Sequence, residues 1–219
     1  FNTLKMSIYI KIVKYDMKKK IILIGAGGHT ISTINLVNST KEFKIVGIID
    51  NLAKGKILGY PIIGSDKDLK DLYKKKAIKY CSIGVGQIKN YKTRFKLYQR
   101  IKNIGYIIPK IIANTAVVAK DTFIGEGTNI FNNVLINSKV NIGSNCILNS
   151  GSIIEHDSKI GNNCHISTGV IINGKVNIGD NTFIGSGSVL RNNINIGNNC
   201  IIGMGKVVKK NIPKNKILK

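Results

Sequence analysis

The feature that most constrains this chain is a six-residue repeat in its C-terminal half. Stepping by six from Ile112 to Val208 gives 17 consecutive positions, and each one is Ile, Leu or Val. The fifth place of each hexad is mostly small or β-branched, and the places between are rich in Asn and Gly, which tolerate the left-handed backbone of sharp corners. Apolar residues with this period need stacked coils that bury them in one continuous core. The repeat therefore predicts a left-handed parallel β-helix with three hexads in each 18-residue coil.

Residues 18 apart should stack in columns along such a helix, at the usual strand spacing of about 4.8 Å. Cys146, Cys164 and Cys200 differ by multiples of 18, so they are interpreted as small apolar side chains of one interior column. No pair of the four cysteines has the spacing of a zinc site. An ice-binding or purely structural solenoid would show regular Thr or aromatic faces, and the irregular segment around His156 argues against it.

The N-terminal half has the pattern of a nucleotide-binding α/β domain. An apolar strand from Lys20 to Ile24 runs into a glycine-rich turn, a helix is predicted at about 28–37, and a second strand ends at Asp50. Glycines let a phosphate approach the backbone at a helix N-terminus; the alternative is that they only make a tight turn. Thr30 stands where the dinucleotide fingerprint has its third glycine, and no hydride-transfer residues follow, which disfavours a nicotinamide dehydrogenase.

The predicted organisation has four segments. Residues 1–16 precede Met17, which resembles a natural start, and are interpreted as a non-native or mobile arm; 17–109 form a Rossmann-like α/β domain, 110–212 the β-helix, and 213–219 a basic tail. Within the α/β domain, 80–84, about 90–103 and 106–108 are predicted as strand, helix and strand. Pro109 marks the junction with the β-helix.

The net charge of +23 is unevenly distributed. Residues 1–111 carry 23 basic and 6 acidic side chains, 112–205 are balanced, and 206–219 carry 6 basic and none acidic. Attraction of small anionic ligands is one explanation, and a compositional bias toward Lys, Ile and Asn is another. Basic and aromatic residues are not interleaved as in single-strand-binding proteins, which disfavours nucleic acid. No membrane span or secretory signal is recognised, so a cytoplasmic location is expected.

A Glu155-His156-Asp157 string carries the predicted chemistry. His156 is the third residue of its hexad, which predicts an exposed corner. A neutral imidazole can take a proton from an attacking amine or hydroxyl, and a neighbouring carboxylate, either Asp157 or Glu155, can orient it. Gly174 lies 18 residues further in the same column, where its N–H could stabilise charge developing on a carbonyl oxygen. The pattern predicts acyl transfer by direct attack, without a covalent intermediate.

Two other interpretations of the histidines remain open. His156 and His165 could be ordinary exposed residues. A zinc centre of the carbonic anhydrase type needs three His ligands, and the β-helix supplies only these two.

Together the two halves resemble the family of sialic acid O-acetyltransferases and UDP-4-amino-sugar N-acetyltransferases of bacterial surface-glycan synthesis. The resemblance rests on the strings Ile24-Gly25-Ala26-Gly27-Gly28-His29 and Ile154-Glu155-His156-Asp157, and it covers residues from about 17 to 212. It implies a sugar-nucleotide-binding domain joined to an acyltransferase β-helix. It also implies acetyl-CoA as co-substrate, no permanently bound cofactor, no metal, and a homotrimer with CoA held between neighbouring β-helices.

The resemblance assigns roles to three groups of residues. His156 is the general base, Asp157 enhances its basicity, and Glu155 lies beside the acceptor. The sugar-nucleotide acceptor is contacted by Gly27, Gly28, His29, Asp50, Asn51, Gly84 and Asn149, and acetyl-CoA by His165, Gly174, Ser186 and Met204. The chain departs from the family pattern at Thr30, which replaces a Gly, at Asn51, which replaces an Asp of some members, and in a tail that lacks the usual Gly-x-Pro-Ala.

Three hypotheses for the function follow. N-acetylation of a nucleotide-linked amino sugar and O-acetylation of sialic acid share a mechanism, and the sequence does not separate them. A non-catalytic protein of this build would bind a nucleotide sugar yet release no CoA thiol. A nucleotidyltransferase is disfavoured because the N-terminal domain is short and lacks the basic glycine-rich signature of that class.

Overall fold

The computed structural model describes residues 18–75, 77–88 and 90–219, and the predicted arm 1–16 lies outside the described residues. An α/β domain is followed by a long stack of two-residue parallel strands. The predicted fold class, a Rossmann-like domain followed by a left-handed parallel β-helix, is confirmed.

The α/β domain is built on a twisted sheet of mainly parallel strands with the order β3-β4-β2-β1-β5. Only the β3–β4 hairpin is antiparallel. Burial of the apolar run at the end of β1 on both faces agrees with its interior position between β2 and β5. The elements are β1 (Lys19–Ile24), α1 (Gly28–Thr40), β2 (Phe43–Ile49), β3 (Lys56–Ile57), β4 (Tyr60–Gly64), a 3-10 turn (Asp66–Asp68), α2 (Leu69–Lys74), β5 (Tyr80–Ile83) and α3 (Lys92–Ile104).

One predicted strand of this domain is wrong. Residues 106–108 make only an isolated bridge, between Ile107 and Tyr80. Pro109 follows and has no N–H to donate, so the ladder does not continue. The hairpin β3–β4 and helix α2 had no prediction, because their sequences are short and lack periodicity.

The β-helix has three flat faces. The docked face is named here for the α/β domain that packs on it, and the apolar and polar faces are named for their outward side chains. The docked face is formed by β6 (Ile111–Ile112), β9 (Asn129–Ile130), β12 (Ile147–Leu148), β15 (His165–Ile166), β18 (Phe183–Ile184), β21 (Ile201–Ile202) and β23 (Ile217–Leu218). The apolar face is formed by β7 (Val117–Val118), β10 (Leu135–Ile136), β13 (Ile153–Ile154), β16 (Ile171–Ile172), β19 (Val189–Leu190) and β22 (Val207–Val208). The polar face is formed by β8 (Phe123–Ile124), β11 (Asn141–Ile142), β14 (Lys159–Ile160), β17 (Asn177–Ile178) and β20 (Asn195–Ile196).

The hexad pattern accounts for the inside of this prism. The predicted interior positions form one continuous core, and Cys146, Cys164 and Cys200 are fully buried in it. Asn dominates the corner positions that adopt positive φ, as predicted from its tolerance of the left-handed region. The segment 213–219, predicted as a basic tail, instead adds β23, which pairs in parallel with β21.

The α/β domain packs on the N-terminal part of the docked face. Ile34 and Val37 of α1 share an apolar cluster with Ile111, Phe131 and Ile147 of the β-helix. The docked face is therefore covered where the domain sits, whereas the apolar face keeps its outward side chains half-buried or exposed.

Candidate functional site

His156 lies at the corner that joins the apolar face to the polar face, here called the His156 edge. Its Nδ1 donates a hydrogen bond of 2.8 Å to Oδ2 of Asp157. Because a carboxylate only accepts, this bond places the ring proton on Nδ1 and leaves a lone pair on Nε2. The side chains are 58% and 39% exposed, so a substrate can reach the free nitrogen. The pair has the arrangement of a base and its orienting carboxylate.

Asp157 is suited to this position by its backbone as well as its charge. Its φ of 61° lies in the left-handed region, which Asp and Asn tolerate better than most residues. The hydrogen bond with His156 holds the pKa of this carboxyl below its ordinary value, and the charges of Lys139 and Lys175 act in the same direction. Asp157 is therefore ionised wherever the imidazole needs an anionic partner.

Gly174 lies directly against the imidazole, one coil further along the His156 edge. A Cβ placed on this glycine would come within 2.7 Å of His156 Nε2, so only glycine leaves room for the ring. The N–H of Gly174 donates no hydrogen bond within the described residues, whereas the next N–H, of Lys175, bonds to the His156 carbonyl. The expected stacking of Gly174 on His156 is thus observed, and the N–H of this buried glycine has no partner within the described residues.

A groove of about 560 Å³ runs along this edge over Glu155, His156 and Gly174. Glu155 is held by a 2.7 Å hydrogen bond from Asn137, which lies 18 residues earlier in its column. At its other end the groove is lined by exposed Arg191, a residue that sequence analysis did not single out. Anionic groups would be favoured at that end.

The glycine-rich turn has two kinds of glycine. Gly25 has φ of 98°, and a Cβ there would meet Val85 at 2.5 Å, so the turn itself needs this glycine. Gly27 and Gly28, at the start of α1, have no atom within 4 Å of an added Cβ and no positive φ. The fold does not require glycine at these two exposed positions, which favours backbone access for a ligand over a tight turn alone.

Thr30 replaces the expected glycine for a structural reason. Its buried hydroxyl donates to the carbonyls of Gly25 (2.7 Å) and Gly84 (3.1 Å), and so ties the turn after β1 to the end of β5. A Cβ on Gly84 would lie 2.5 Å from that hydroxyl. Close packing therefore accounts for Gly84 independently of any substrate contact.

Asp50 and Asn51 line a cavity of about 460 Å³ at the carboxyl ends of β1, β2 and β5, where open α/β sheets bind ligands. The Asp50 carboxylate accepts 2.9 Å hydrogen bonds from the N–H groups of Ala26, Leu52 and Ala53. The bond from Ala53 contributes most to a lowered pKa of Asp50, against the opposing effect of burial. Lys96 and Arg100 also line this cavity; sequence analysis did not predict them.

His29 and His165 meet in the seam between the two domains, with ring centroids 6.4 Å apart. Burial is the main cause that lowers the pKa of His29 to about 3 and that of His165 to about 4, so both rings are neutral. His165 is only 5% exposed, and the interpretation of this histidine as an exposed residue is wrong. The α/β domain covers the docked face at this point, which the hexad pattern alone does not reveal.

One protomer does not bring all the predicted site residues together. His165 lies on the docked face, opposite the His156 edge in the triangular cross-section. Ser186 and Met204 lie on the corner between the docked and apolar faces, here called the Ser186 edge, and Asn149 lies at the start of a turn of that edge. Met204 is 80% exposed. The predicted acetyl-CoA residues are thus distributed over three sides of the prism.

Two family profiles match the chain. The PglD N-terminal domain matches residues 20–101, and the bacterial transferase hexapeptide (six repeats) matches 139–174 and 175–210. Together the matches cover more than two thirds of the chain and include His156, Asp157 and Gly174.

Solved structures share the whole arrangement of domains. A perosamine N-acetyltransferase from Caulobacter crescentus, solved with CoA and GDP-perosamine, is 27% identical with a TM-score of 0.83, over 89% of this chain and 90% of that one. WeeI from Acinetobacter baumannii is 26% identical with a TM-score of 0.80, over 91% and 96%. The acetyltransferase domain of PglB from Neisseria gonorrhoeae agrees in fold, at 24% identity and a TM-score of 0.85, over 91% and 96%. None of the helices in the described ranges has the length and hydropathy of a membrane span.

Proposed function

Because the chain belongs to the family of sugar acyltransferases that join a PglD N-terminal domain to hexapeptide repeats, we propose that it transfers an acetyl group from acetyl-CoA to the amino group of a nucleotide-linked amino sugar. The observation that carries the proposal is the His156–Asp157 pair lying over Gly174. This arrangement offers a basic nitrogen, its orienting carboxylate and an unpartnered backbone N–H on two adjacent coils of the β-helix.

The reaction follows from these groups. The substrate amine attacks the thioester carbonyl carbon while His156 Nε2 takes the proton that the amine loses. The N–H of Gly174 stabilises the oxyanion of the tetrahedral intermediate. When the carbon–sulfur bond breaks, the protonated imidazole returns its proton to the leaving thiolate. Asp157 stabilises the imidazolium between these two transfers.

The α/β domain supplies the acceptor site in this proposal. The cavity at the carboxyl ends of its strands takes the nucleotide, with Asp50 and Asn51 at its wall. Gly27 and Gly28 leave the α1 N-terminus open to a diphosphate. Lys96 adds positive charge beside the cavity, which favours the same ligand class, whereas Arg100 is paired with Asp66 of the same wall at 2.8 Å.

Assembly into a homotrimer explains why the site residues of one protomer lie apart. The apolar face carries an unbroken outward column of aliphatic residues, namely Val117, Leu135, Ile153, Ile171, Val189 and Val207. The polar face begins with exposed Phe123 and then carries Asn141, Lys159, Asn177 and Asn195 at the equivalent places. A continuous aliphatic column of this kind marks a protein interface.

Packing three apolar faces around a three-fold axis has a specific consequence. The apolar face is bounded by the His156 edge on one side and the Ser186 edge on the other. Each His156 edge therefore meets the Ser186 edge of the next protomer. Ser186 and Met204, together with the α/β domain on the adjoining docked face, would then approach the His156 of a neighbour and complete one site.

Charge along the His156 edge sets the direction of acetyl-CoA. Toward the N-terminal coils the edge carries Lys120, Asp121 and Lys139, all exposed. Toward the C-terminal coils it carries only cations, namely exposed Lys175, Arg191, Lys209 and Lys210, so the C-terminal side is the more positive. Lys209 and Lys210 lie three coils beyond His156, about 14 Å away at the usual strand spacing. The pantetheine arm of CoA, about 13 bonds from sulfur to phosphorus, spans about 15 Å when extended. The thioester can thus lie at His156 while the phosphates reach these cations.

The amine is preferred over the sialic acid hydroxyl because the perosamine enzyme, 27% identical, is an N-acetyltransferase. A role in surface-glycan synthesis and a cytoplasmic location remain the expectations that accompany this acceptor class. A non-catalytic nucleotide-sugar-binding protein would not need glycine under an oriented imidazole.

The test is release of CoA thiol from acetyl-CoA with a panel of UDP- and GDP-linked amino sugars and free sialic acids. Thiol release and a product 42 mass units heavier, the mass of an added acetyl group less one hydrogen, are expected with an amino sugar only. Release with sialic acid alone would establish O-acetylation instead. Binding of nucleotide sugar and acetyl-CoA without any release would support the non-catalytic hypothesis.

A further inference from the structure

The seam between the domains contains an unusual concentration of buried polar atoms. Eight buried side-chain nitrogen and oxygen atoms of the described residues lack a hydrogen-bond partner, and seven belong to residues on the two sides of this seam. These residues are His29, Gln87, Arg94, Asn129, Asn145 and His165. Unpartnered buried polar atoms are costly, so a cluster of them indicates a functional role for the seam.

Arg94 of α3 is fully buried at this seam, and within the described residues its hydrogen-bond partners are carbonyl oxygens rather than carboxylates. Its Nη1 donates 2.8 Å bonds to the carbonyls of Ile83 and Val85, at the end of β5. Its Nε points to the carbonyl of Asn145 in the β-helix at 3.5 Å. One guanidinium thus fixes the segment after β5 and links it to the β-helix.

Gln87 lies in that segment and makes two contacts across the seam. Its side-chain Nε2 donates a 2.6 Å hydrogen bond to the carbonyl of Asn163. Its backbone carbonyl accepts a short hydrogen bond from Nδ1 of His165. The side chain is 3% exposed, so these bonds are shielded from water.

The second contact decides the state of the His165 ring. A carbonyl oxygen has no proton to give, so Nδ1 of His165 carries the ring proton. Burial keeps the ring neutral, so Nε2 holds a lone pair. That lone pair is buried and unpartnered, and it belongs to a ring 6.4 Å from His29 of the glycine-rich loop.

We propose that Gln87 and Arg94 are positioning residues that hold the segment 84–88 against the β-helix, so that the Gln87 carbonyl fixes His165 as its Nδ1–H tautomer with Nε2 ready to accept a hydrogen bond from a substrate N–H. The proposal rests on the proposed function, because the donor is a group of one of its two substrates. The pantetheine amides of acetyl-CoA and the amino group of the sugar share this chemistry.

The arrangement also connects the two substrates. Val85 lines the nucleotide cavity, and Gln87, two residues later, sets the tautomer of His165. A nucleotide sugar that packs against Val85 adds to the Arg94 hydrogen bonds that already hold this segment, and so favours the ring state that accepts the substrate N–H. Filling the acceptor site is expected to tighten binding at the His165 nitrogen.

The first test is the ¹⁵N spectrum of the imidazoles in the full-length protein, which has three histidines. Wild-type His165 is expected as Nδ1–H, although free imidazole in water favours the other tautomer. In Gln87→Ala the ring is expected to lose this preference. Gln99→Ala, which removes the same amide from the exposed surface of α3, is the matched control. A wild-type ring protonated on Nε2 would overturn the proposal.

The second test is kinetic. Gln87→Ala is expected to raise the KM for one of the two substrates about tenfold, which is the effect of losing one hydrogen bond, while kcat changes little. A rise in KM for acetyl-CoA identifies the acyl donor as the N–H source, and a rise for the nucleotide sugar identifies the acceptor. Arg94→Lys, which keeps the charge but loses the forked donors, should reproduce the effect in weaker form.

Two outcomes are kept apart by this design. A Gln87→Ala protein that keeps both the tautomer and both KM values refutes the positioning role while leaving the acetyltransferase proposal intact. A wild-type protein that releases no thiol with any acceptor refutes the acetyltransferase proposal, and the ¹⁵N spectrum still tests the tautomer on its own.

Discussion

His156 and His165 lie nine residues apart in the same coil, yet their surroundings are opposite. His156 is 58% exposed and bonded to a carboxylate, whereas His165 is 5% exposed and bonded to a carbonyl. The hexad phase separates them, since the third place is a corner and the sixth is an outward strand position. The corner offers a ring that can gain and return a proton, and the covered face offers a ring whose one proton is fixed.

This difference shows that residue type alone does not determine the chemical role of a histidine on the β-helix. A carboxylate next to an exposed imidazole stabilises the imidazolium that forms during proton transfer. A buried imidazole beside a carbonyl has no such stabilisation and acts as a directional acceptor.

The largest effect is expected for His156→Ala. Loss of the general base should lower kcat by about 10²–10⁴, because only unassisted attack by the amine remains. Acetyl-CoA binding, measured by calorimetry, should be retained. A variant with nearly full turnover would remove the imidazole from the mechanism and leave His165 as the only candidate among the two.

The next largest effect is expected for a substitution that dissociates the trimer, because the His156 edge then no longer meets the Ser186 edge of a neighbouring protomer. Ile171→Asp places a charge in the centre of the apolar face and should dissociate the trimer, as seen by light scattering. Turnover should fall by about 10²-fold, because half of each site is then missing. Asn177→Asp, at the equivalent place on the polar face, is the matched control and should stay trimeric. A fully active Ile171→Asp monomer would show that one protomer holds a complete site.

The sequence predicted the surroundings of the exposed His156 better than those of the buried His165. Hexad phase alone placed Ile154 inside, His156 at a corner and Gly174 against it, because the repeat is a local geometric constraint. Burial of His165 depends on a separate domain docking on one face, which is a long-range packing event without a periodic signal. For the same reason the sequence did not indicate Gln87 and Arg94, since a polar residue in a loop or near the start of a helix is usually solvated.

Gly174→Ala tests the precision of the exposed site. A methyl group would come within 2.7 Å of His156 Nε2 and should push the ring from its position over the edge. We expect kcat to fall by about 10–100-fold with the fold intact, the cost of a misplaced reactive group. The double variant with His156→Ala should be no slower than His156→Ala alone, because both changes act through the same ring. Additive losses would assign Gly174 mainly to the oxyanion.

A smaller effect is expected for His165, one of the two buried histidines in the seam between the domains. Burial lowers the pKa of His165 to about 4 from its ordinary value near 6.5. Between these two pH values the unfolded chain therefore binds more protons than the folded chain. Stability should therefore be highest above pH 6.5 and fall as the pH drops toward 5. His165→Gln should reduce this fall by about 1–2 kcal/mol in urea titrations at pH 7 and 5. Asp50 and Asp157 have lowered pKa values and contribute only below this window. An unchanged slope would mean that water reaches the seam.

The smallest effect is expected at the cationic end of the His156 edge. Arg191→Gln should raise KM for acetyl-CoA about threefold with kcat unchanged, since an exposed charge pair contributes roughly 0.5–1 kcal/mol. The rise should be the same with acetyl-dephospho-CoA, which lacks the 3′-phosphate, because Arg191 lies two coils from His156, about 10 Å, on the side of the diphosphate. The rise should diminish at high salt. Lys159→Gln removes a cation from the polar face of the same β-helix and should leave both KM values unchanged. A smaller rise with acetyl-dephospho-CoA would assign Arg191 to the 3′-phosphate instead, whereas an unchanged KM would reverse the direction inferred for CoA along the edge and direct its phosphates elsewhere.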